Sequence, residues 1–250
     1  MKLGFLLLIL GFGISVNTQV KQPKPPAVKI PFAESLQAVV VTTNDWEATT
    51  GQARLFERSS PTAKWKAKGD RFPVVVGRTG LVWAQDSAPE KATQFKKEGD
   101  GKSPAGLFPL TYAFGSAVKP EQLTFPYIRI DRQTECVDDM NSSHYNKIVG
   151  RSQVGNFDWK SSEKMLEVGP PYELGVFVAY NSYPVVKGNG SCIFLHVWKD
   201  AATPTAGCTA MARTDLERMV AWLDTAKNPY LVQLTEDEHK SLRKSWNLPK

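Results

Sequence analysis

Cysteine and histidine are scarce in this chain, three of each in 250 residues, and no C-x-x-C or H-x-x-x-H pair occurs. The spaced ligand sets of zinc modules are therefore missing, and no metal or cofactor is expected. Charge of one sign is not concentrated either. The 31 Lys and Arg stand against 25 Asp and Glu, a net +6, and no five basic residues run together. The densest basic patch, Lys64, Lys66, Lys68 and Arg71, has no ladder of aromatic rings on which bases could stack, so no nucleic-acid partner is expected. Long apolar runs are confined to Leu3–Val16, shorter than the ~20 residues a spanning helix needs. A multi-span membrane protein is excluded. At 42% hydrophobic and 22% charged residues, the composition is that of an ordinary globular chain, long enough to bury a core without staples.

Met1-Lys2, the apolar run and then Asn17-Thr18-Gln19 read as a secretory signal over residues 1–18. No A-x-A marks a cleavage site, which leaves an uncleaved N-terminal anchor as the alternative, and no cysteine ends the run to take a lipid. Residues 19–31, with Lys21-Gln22-Pro23-Lys24-Pro25-Pro26, read as a stiff spacer, and residues 32–250 as one domain. The expected location is outside the cytoplasm, in the periplasm or cell envelope, touching membrane only through the first segment if that is retained. In an oxidising space, Cys136, Cys192 and Cys208 are an odd set. Two could pair and leave one reactive, or all three could be buried and reduced.

Short β-type runs begin at Ala38–Val41 and continue at Gln52–Glu57 and Phe72–Val76, each bounded by Gly, Asn, Asp or Ser-Pro punctuation. Gly99–Gly106 reads as a glycine turn between strands; Lys102-Ser103 leads into Pro104 rather than a helix, so it is not a phosphate loop. Residues 131–190 are polar and irregular, an insertion before the next strand, with a short helical stretch opening at Trp159 and a strand over Glu173–Tyr180. Thr214-Asp215-Leu216-Glu217 has the pattern of a capping box, followed by Met219, Val220 and Leu223 at helical spacing. Tyr230–Leu234 reads as the last strand and Thr235 as the cap of a final helix. The fold class is mainly β with a few helices.

Ser191–Trp198 reads as a strand that puts Cys192, Phe194, His196 and Trp198 on one face and Ile193, Leu195 and Val197 on the other. The aliphatic set suits a core, which leaves His196 beside aromatic rings. Pro204 then stiffens a loop, and Gly207 permits a tight backbone just before Cys208. A free thiol has a pKa of ~8.5, so an imidazole that takes its proton makes it a nucleophile at neutral pH and can later protonate a leaving amine. The N–H groups of Gly207 and Cys208 could face the developing oxyanion. Cys192 and His196 lie ~13 Å apart on an extended strand, too far to share one ion. In the insertion, the polar residues His144 and Tyr145 are candidate substrate contacts, and a Cys136–Cys192 bridge would tie the insertion to the histidine strand.

His196 through Thr205-Ala206-Gly207-Cys208, together with Gly99-Asp100-Gly101-Lys102-Ser103-Pro104-Ala105-Gly106-Leu107-Phe108-Pro109, resembles the YkuD-type L,D-transpeptidases of bacteria over roughly Val39–Leu234. The resemblance implies a β-sandwich-like fold, Cys208 as nucleophile and His196 as base, with the imidazole oriented by a backbone carbonyl. It also implies acylation by a peptidoglycan stem peptide with loss of D-alanine, and transfer of the acyl group to an amine of a neighbouring stem or a wall-linked protein. L,D-carboxypeptidase or crosslink-hydrolase activity is the alternative within the fold, and a non-catalytic wall-binding module the alternative outside enzymology. The chain departs from the usual pattern: Ala206 precedes the glycine and Ala210 follows Cys208 by two places, where the family carries His and then Asn or Arg. Arg213 is the candidate for the missing positive group, and Thr205 is a further candidate contact to the stem.

Overall fold

The computed structural model describes residues 32–250; the expected signal segment and spacer lie outside the described residues. The main body is a sheet that closes on itself. Going round it, β10 (Leu174–Val178), β11 (Phe194–Val197), β12 (Thr209–Met211), β3 (Lys66–Val75), β2 (Thr50–Glu57), β1 (Gln37–Thr43), β13 (Tyr230–Thr235) and β5 (Ser103–Gly115) pair in turn, and β5 pairs again with β10. Two short strands, β4 (Leu81–Trp83) and β6 (Tyr127–Arg129), lie parallel to β5. The two layers of the expected sandwich are thus one continuous sheet.

Sequence pattern explains the placement. β1 is buried along nearly its whole length, with Val39, Val40 and Val41 covered on both faces, as suits a strand held between antiparallel β2 and parallel β13. The largest apolar cluster includes Val39, Leu55, Phe108, Leu195 and Leu231. Helix α1 (Arg213–Trp222) contributes Leu216, Met219 and Val220 to it, spaced at i, i+3 and i+4. The alternation expected around His196 is present. Ile193, Leu195 and Val197 enter this core, while Cys192 and Phe194 join a second cluster with Phe114, Tyr172, Phe177 and Cys208.

That second cluster is roofed by a separate three-stranded sheet, in which β7 (Thr134–Val137) lies between β8 (Ile148–Gly150) and β9 (Ser162–Lys164). The segment 131–190 is therefore more ordered than its polarity suggests, and β10 within it belongs to the main ring. The helix expected after Trp159 is instead β9. Its Ser162 hydroxyl and Lys164 ammonium both bind Glu135 on β7, at 2.6 Å each, and this cross-strand pairing outweighs helical spacing. The glycine turn is shorter than expected, since Ser103–Gly106 already run in β5. Thr214 is not a cap: β12 ends at Met211, so α1 starts at Arg213 with Ala212 at its N-cap and no side-chain capping bond. Thr235 does cap the final helix, α2 (Glu236–Leu242), accepting from the Glu238 N–H at 3.2 Å.

Candidate active site

β11 and β12 run parallel, with His196 opposite Ala210 and Leu195 opposite Thr209. Cys208, one residue before β12, thus falls level with Phe194 and shares the face that carries His196. Both groups converge on Tyr172, which ends the short 3-10 turn Pro170–Tyr172. The Tyr172 ring stands edge-on to the imidazole at 5.4 Å, and its hydroxyl reaches the Cys208 side chain. His196 and Cys208 are each only 8% exposed.

The loop carrying Cys208 is fixed by the glycine-rich segment upstream. The Thr205 N–H donates to the Val76 carbonyl and its carbonyl accepts from Arg78, at 2.9 and 2.8 Å. The Ser103 hydroxyl accepts from the Gly77 N–H and donates to the Cys208 carbonyl, both at 2.9 Å. The Thr205 hydroxyl donates to the same carbonyl at 2.6 Å and accepts from the Gly207 N–H at 3.1 Å. Gly207 has φ of 153°, and a Cβ there would sit 3.1 Å from the Lys102 carbonyl, so glycine is required where the two loops touch. Asp100 shapes the partner loop, accepting from the Lys102 N–H at 2.9 Å and from the buried Lys96 ammonium at 2.5 Å.

His196 Nδ1 lies 2.8 Å from the Val197 carbonyl oxygen. A carbonyl only accepts, so Nδ1 carries the proton and Nε2 is left as a base. The thiol accepts from the Phe194 N–H at 3.3 Å and donates to the Cys192 carbonyl at 3.4 Å. Burial, with the Glu163 carboxylate adding to it, pushes the Cys208 thiol up to about 12, and burial pulls His196 down to about 4 against the Val197 hydrogen bond. The resting pair is accordingly neutral, thiol and imidazole, rather than an ion pair.

The other expected contacts fall in different places. The Thr205 hydroxyl is used up inside the nucleophile loop, and the Gly207 N–H bonds to it, which leaves the Cys208 N–H as the oxyanion donor that this loop can offer. Arg213 is paired with Glu173 and lies near Glu217. His144 packs edge-on to Trp159 at 5.3 Å within the insertion, where Trp159 clusters with Val137 and Val149 rather than with the Cys208 cluster. Tyr145 is buried; its hydroxyl donates to Glu98 and accepts from the Gly190 N–H, bracing the chain ahead of β11. Cys136 and Cys192 form a disulfide, and Cys208 is the free cysteine. Sequence reasoning passed over Tyr172 and Glu163, whose Oε2 accepts from the Tyr172 hydroxyl at 2.5 Å. It gave Ser103 no function of its own. Among the described residues, no group of three His, Cys, Asp or Glu side chains is arranged to hold a metal.

A free thiol on a glycine-bearing loop and an imidazole whose tautomer a carbonyl fixes thus meet the same tyrosine. The family model of the YkuD L,D-transpeptidase catalytic domain matches residues 46–232, and the chain belongs to that family. Its members are generally cysteine L,D-transpeptidases that act on the cell wall. Among solved structures, the chain is similar to the helical cell shape determining protein Pgp2 from Campylobacter jejuni, at 13% identity and a TM-score of 0.41. That match covers 80% of this chain and 48% of Pgp2, so this chain spans about half of that protein's length. Comparison with curated proteins gave no match.

Proposed function

We propose that this chain is an exported L,D-transpeptidase that works on peptidoglycan stem peptides through a Cys208 acyl-enzyme. The observation that carries it is the convergence of the only free thiol and a base-ready imidazole on the Tyr172 ring, on one face of two parallel strands. Substrate binding turns the thiol proton from the Cys192 carbonyl to His196 Nε2. Sulfur then attacks the carbonyl of the third stem residue, and the Cys208 N–H faces the oxyanion. The C–N bond to D-alanine breaks, the imidazolium protonates the departing amine, and a thioester remains. An acceptor amine gives its proton to His196 as it attacks, and the thiolate leaves to be reprotonated by the imidazolium. The sulfur is back where it started.

The test is incubation with disaccharide-tetrapeptides and analysis of the products by mass. Crosslinked dimers are expected; tripeptides alone would mean that water, not an amine, is the acceptor. Cys208→Ala is expected to lower turnover by about 10⁴-fold or more and to abolish the covalent adduct. Unchanged turnover in that variant would remove the cysteine mechanism, and an absence of any product from the native protein would leave a wall-binding module.

A further inference from the structure

The mechanism above leaves two groups at the site unused. Tyr172 is buried, touches both Cys208 and His196, and hydrogen-bonds to Glu163. Glu163 sits in the middle of β9, on the roof sheet, and is half-buried as a residue, with its carboxylate turned to Tyr172. The order thiol, phenol, carboxylate therefore runs from the buried nucleophile to the roof sheet. We propose that Glu163, acting through the Tyr172 hydroxyl, is a second proton acceptor for Cys208, so that the thiol is activated by a relay as well as by His196. The inference rests on Cys208 being the nucleophile of the proposed function.

The proton balance closes without any added group. The Tyr172 O–H proton moves to Glu163 Oε2, the thiol proton moves to the Tyr172 oxygen, and the negative charge passes from carboxylate to sulfur. Tyr172 ends as a neutral phenol donating to the thiolate, and Glu163 ends as a carboxylic acid donating to Tyr172. No tyrosinate persists, in keeping with burial and the neighbouring Glu163 raising Tyr172 well above its usual range. Burial also lifts Glu163 to about 7, with Asp138 and Glu98 adding to the rise and the Tyr172 hydrogen bond opposing it. Its carboxylate is thus a closer match to the thiol than an imidazole held near 4. The groups that bear on the relay are Tyr172 from the 3-10 turn, Asp138 after β7, Glu98 ahead of β5, and Cys208, with the Lys96 charge acting on the sulfur and His196 against the Tyr172 ring.

The experiment is alkylation of Cys208 by iodoacetamide between pH 5 and 9, on the folded protein with its disulfide intact. Native protein is expected to show a rise in rate through pH about 7 as Glu163 ionises. Glu163→Gln and Tyr172→Phe are each expected to lose that rise and to react about tenfold or more slowly at pH 8. The double variant should be no slower than either. A carboxylate acting only by its charge predicts the opposite sign, because removing it would ease thiolate formation. Glu163→Gln reacting as fast as native protein, or faster, therefore overturns the relay, and so does a Tyr172→Phe protein that keeps the rise. Glutamine keeps the shape and the hydrogen bond of Glu163, so that variant is read even if Tyr172→Phe folds poorly. Alkylation needs no peptidoglycan, so this result stands apart from whether stem peptides are the substrate.

Discussion

The Cys208 carbonyl accepts two hydroxyl protons, from Ser103 at 2.9 Å and from Thr205 at 2.6 Å, and these bonds separate anchoring from aim. Ser103 alone can hold the loop to β5. Thr205 also takes the Gly207 N–H, so it sets the backbone angle from which the thiol projects. Thr205→Val keeps the shape and removes both bonds, at a cost of about 1–3 kcal/mol for a partly buried donor left unpaired. We expect kcat to fall more than the urea midpoint does, as measured by steady-state turnover beside equilibrium unfolding. Equal kinetics in the variant would mean that Ser103 does both jobs. At this scale the sequence conveyed that Cys208 would come level with the face of His196, because their spacing is local, but it did not convey that the Gly207 N–H is taken by Thr205. It was silent on Glu163, a charged residue in a polar stretch whose role depends on a tyrosine nine positions away reaching it in space.

Among the elements, the roof sheet is the part that sequence pattern conveyed least. Ser162–Lys164 alternates no apolar residues, and its strand exists because Glu135 gathers Lys164 at 2.6 Å, Arg151 at 3.0 Å and the Trp159 indole at 2.7 Å. By contrast β1, β13 and the apolar stripe of α1 were evident, since continuous Val/Leu runs and helical spacing are strong signals. The Cys136–Cys192 bridge, closing a sequence separation of 56, joins β7 of the roof to the residues leading into β11. The odd-cysteine count had posed this pairing without deciding it. Serine at both positions is expected to cost about 2–4 kcal/mol. It should slow turnover further by letting β9, and with it Glu163, drift from Tyr172. Melting curves and turnover of the Cys136→Ser/Cys192→Ser protein check this; unchanged turnover would show that the roof stays seated without its tie.

For the molecule as a whole, the closing strand comes last. β13 lies between β1, to which it is parallel, and β5, to which it is antiparallel, so the ring is completed by residues 230–235. Gln233 adds a side-chain tie: its Nε2 donates to the Pro104 carbonyl at 2.9 Å and its Oε1 accepts from Thr209 beside the nucleophile. Ending the chain after Asn228 would expose two long strand edges and part of the central core. Such a protein is expected to be insoluble or to lack cooperative unfolding by circular dichroism, and a soluble, cooperatively melting fragment would contradict the closed-ring account. The disulfide has a practical corollary at this scale. With two of the three cysteines locked together, each thiol-directed electrophile the native chain takes up reports one Cys208. Intact mass after saturating labelling then counts competent molecules in any preparation, one adduct apiece.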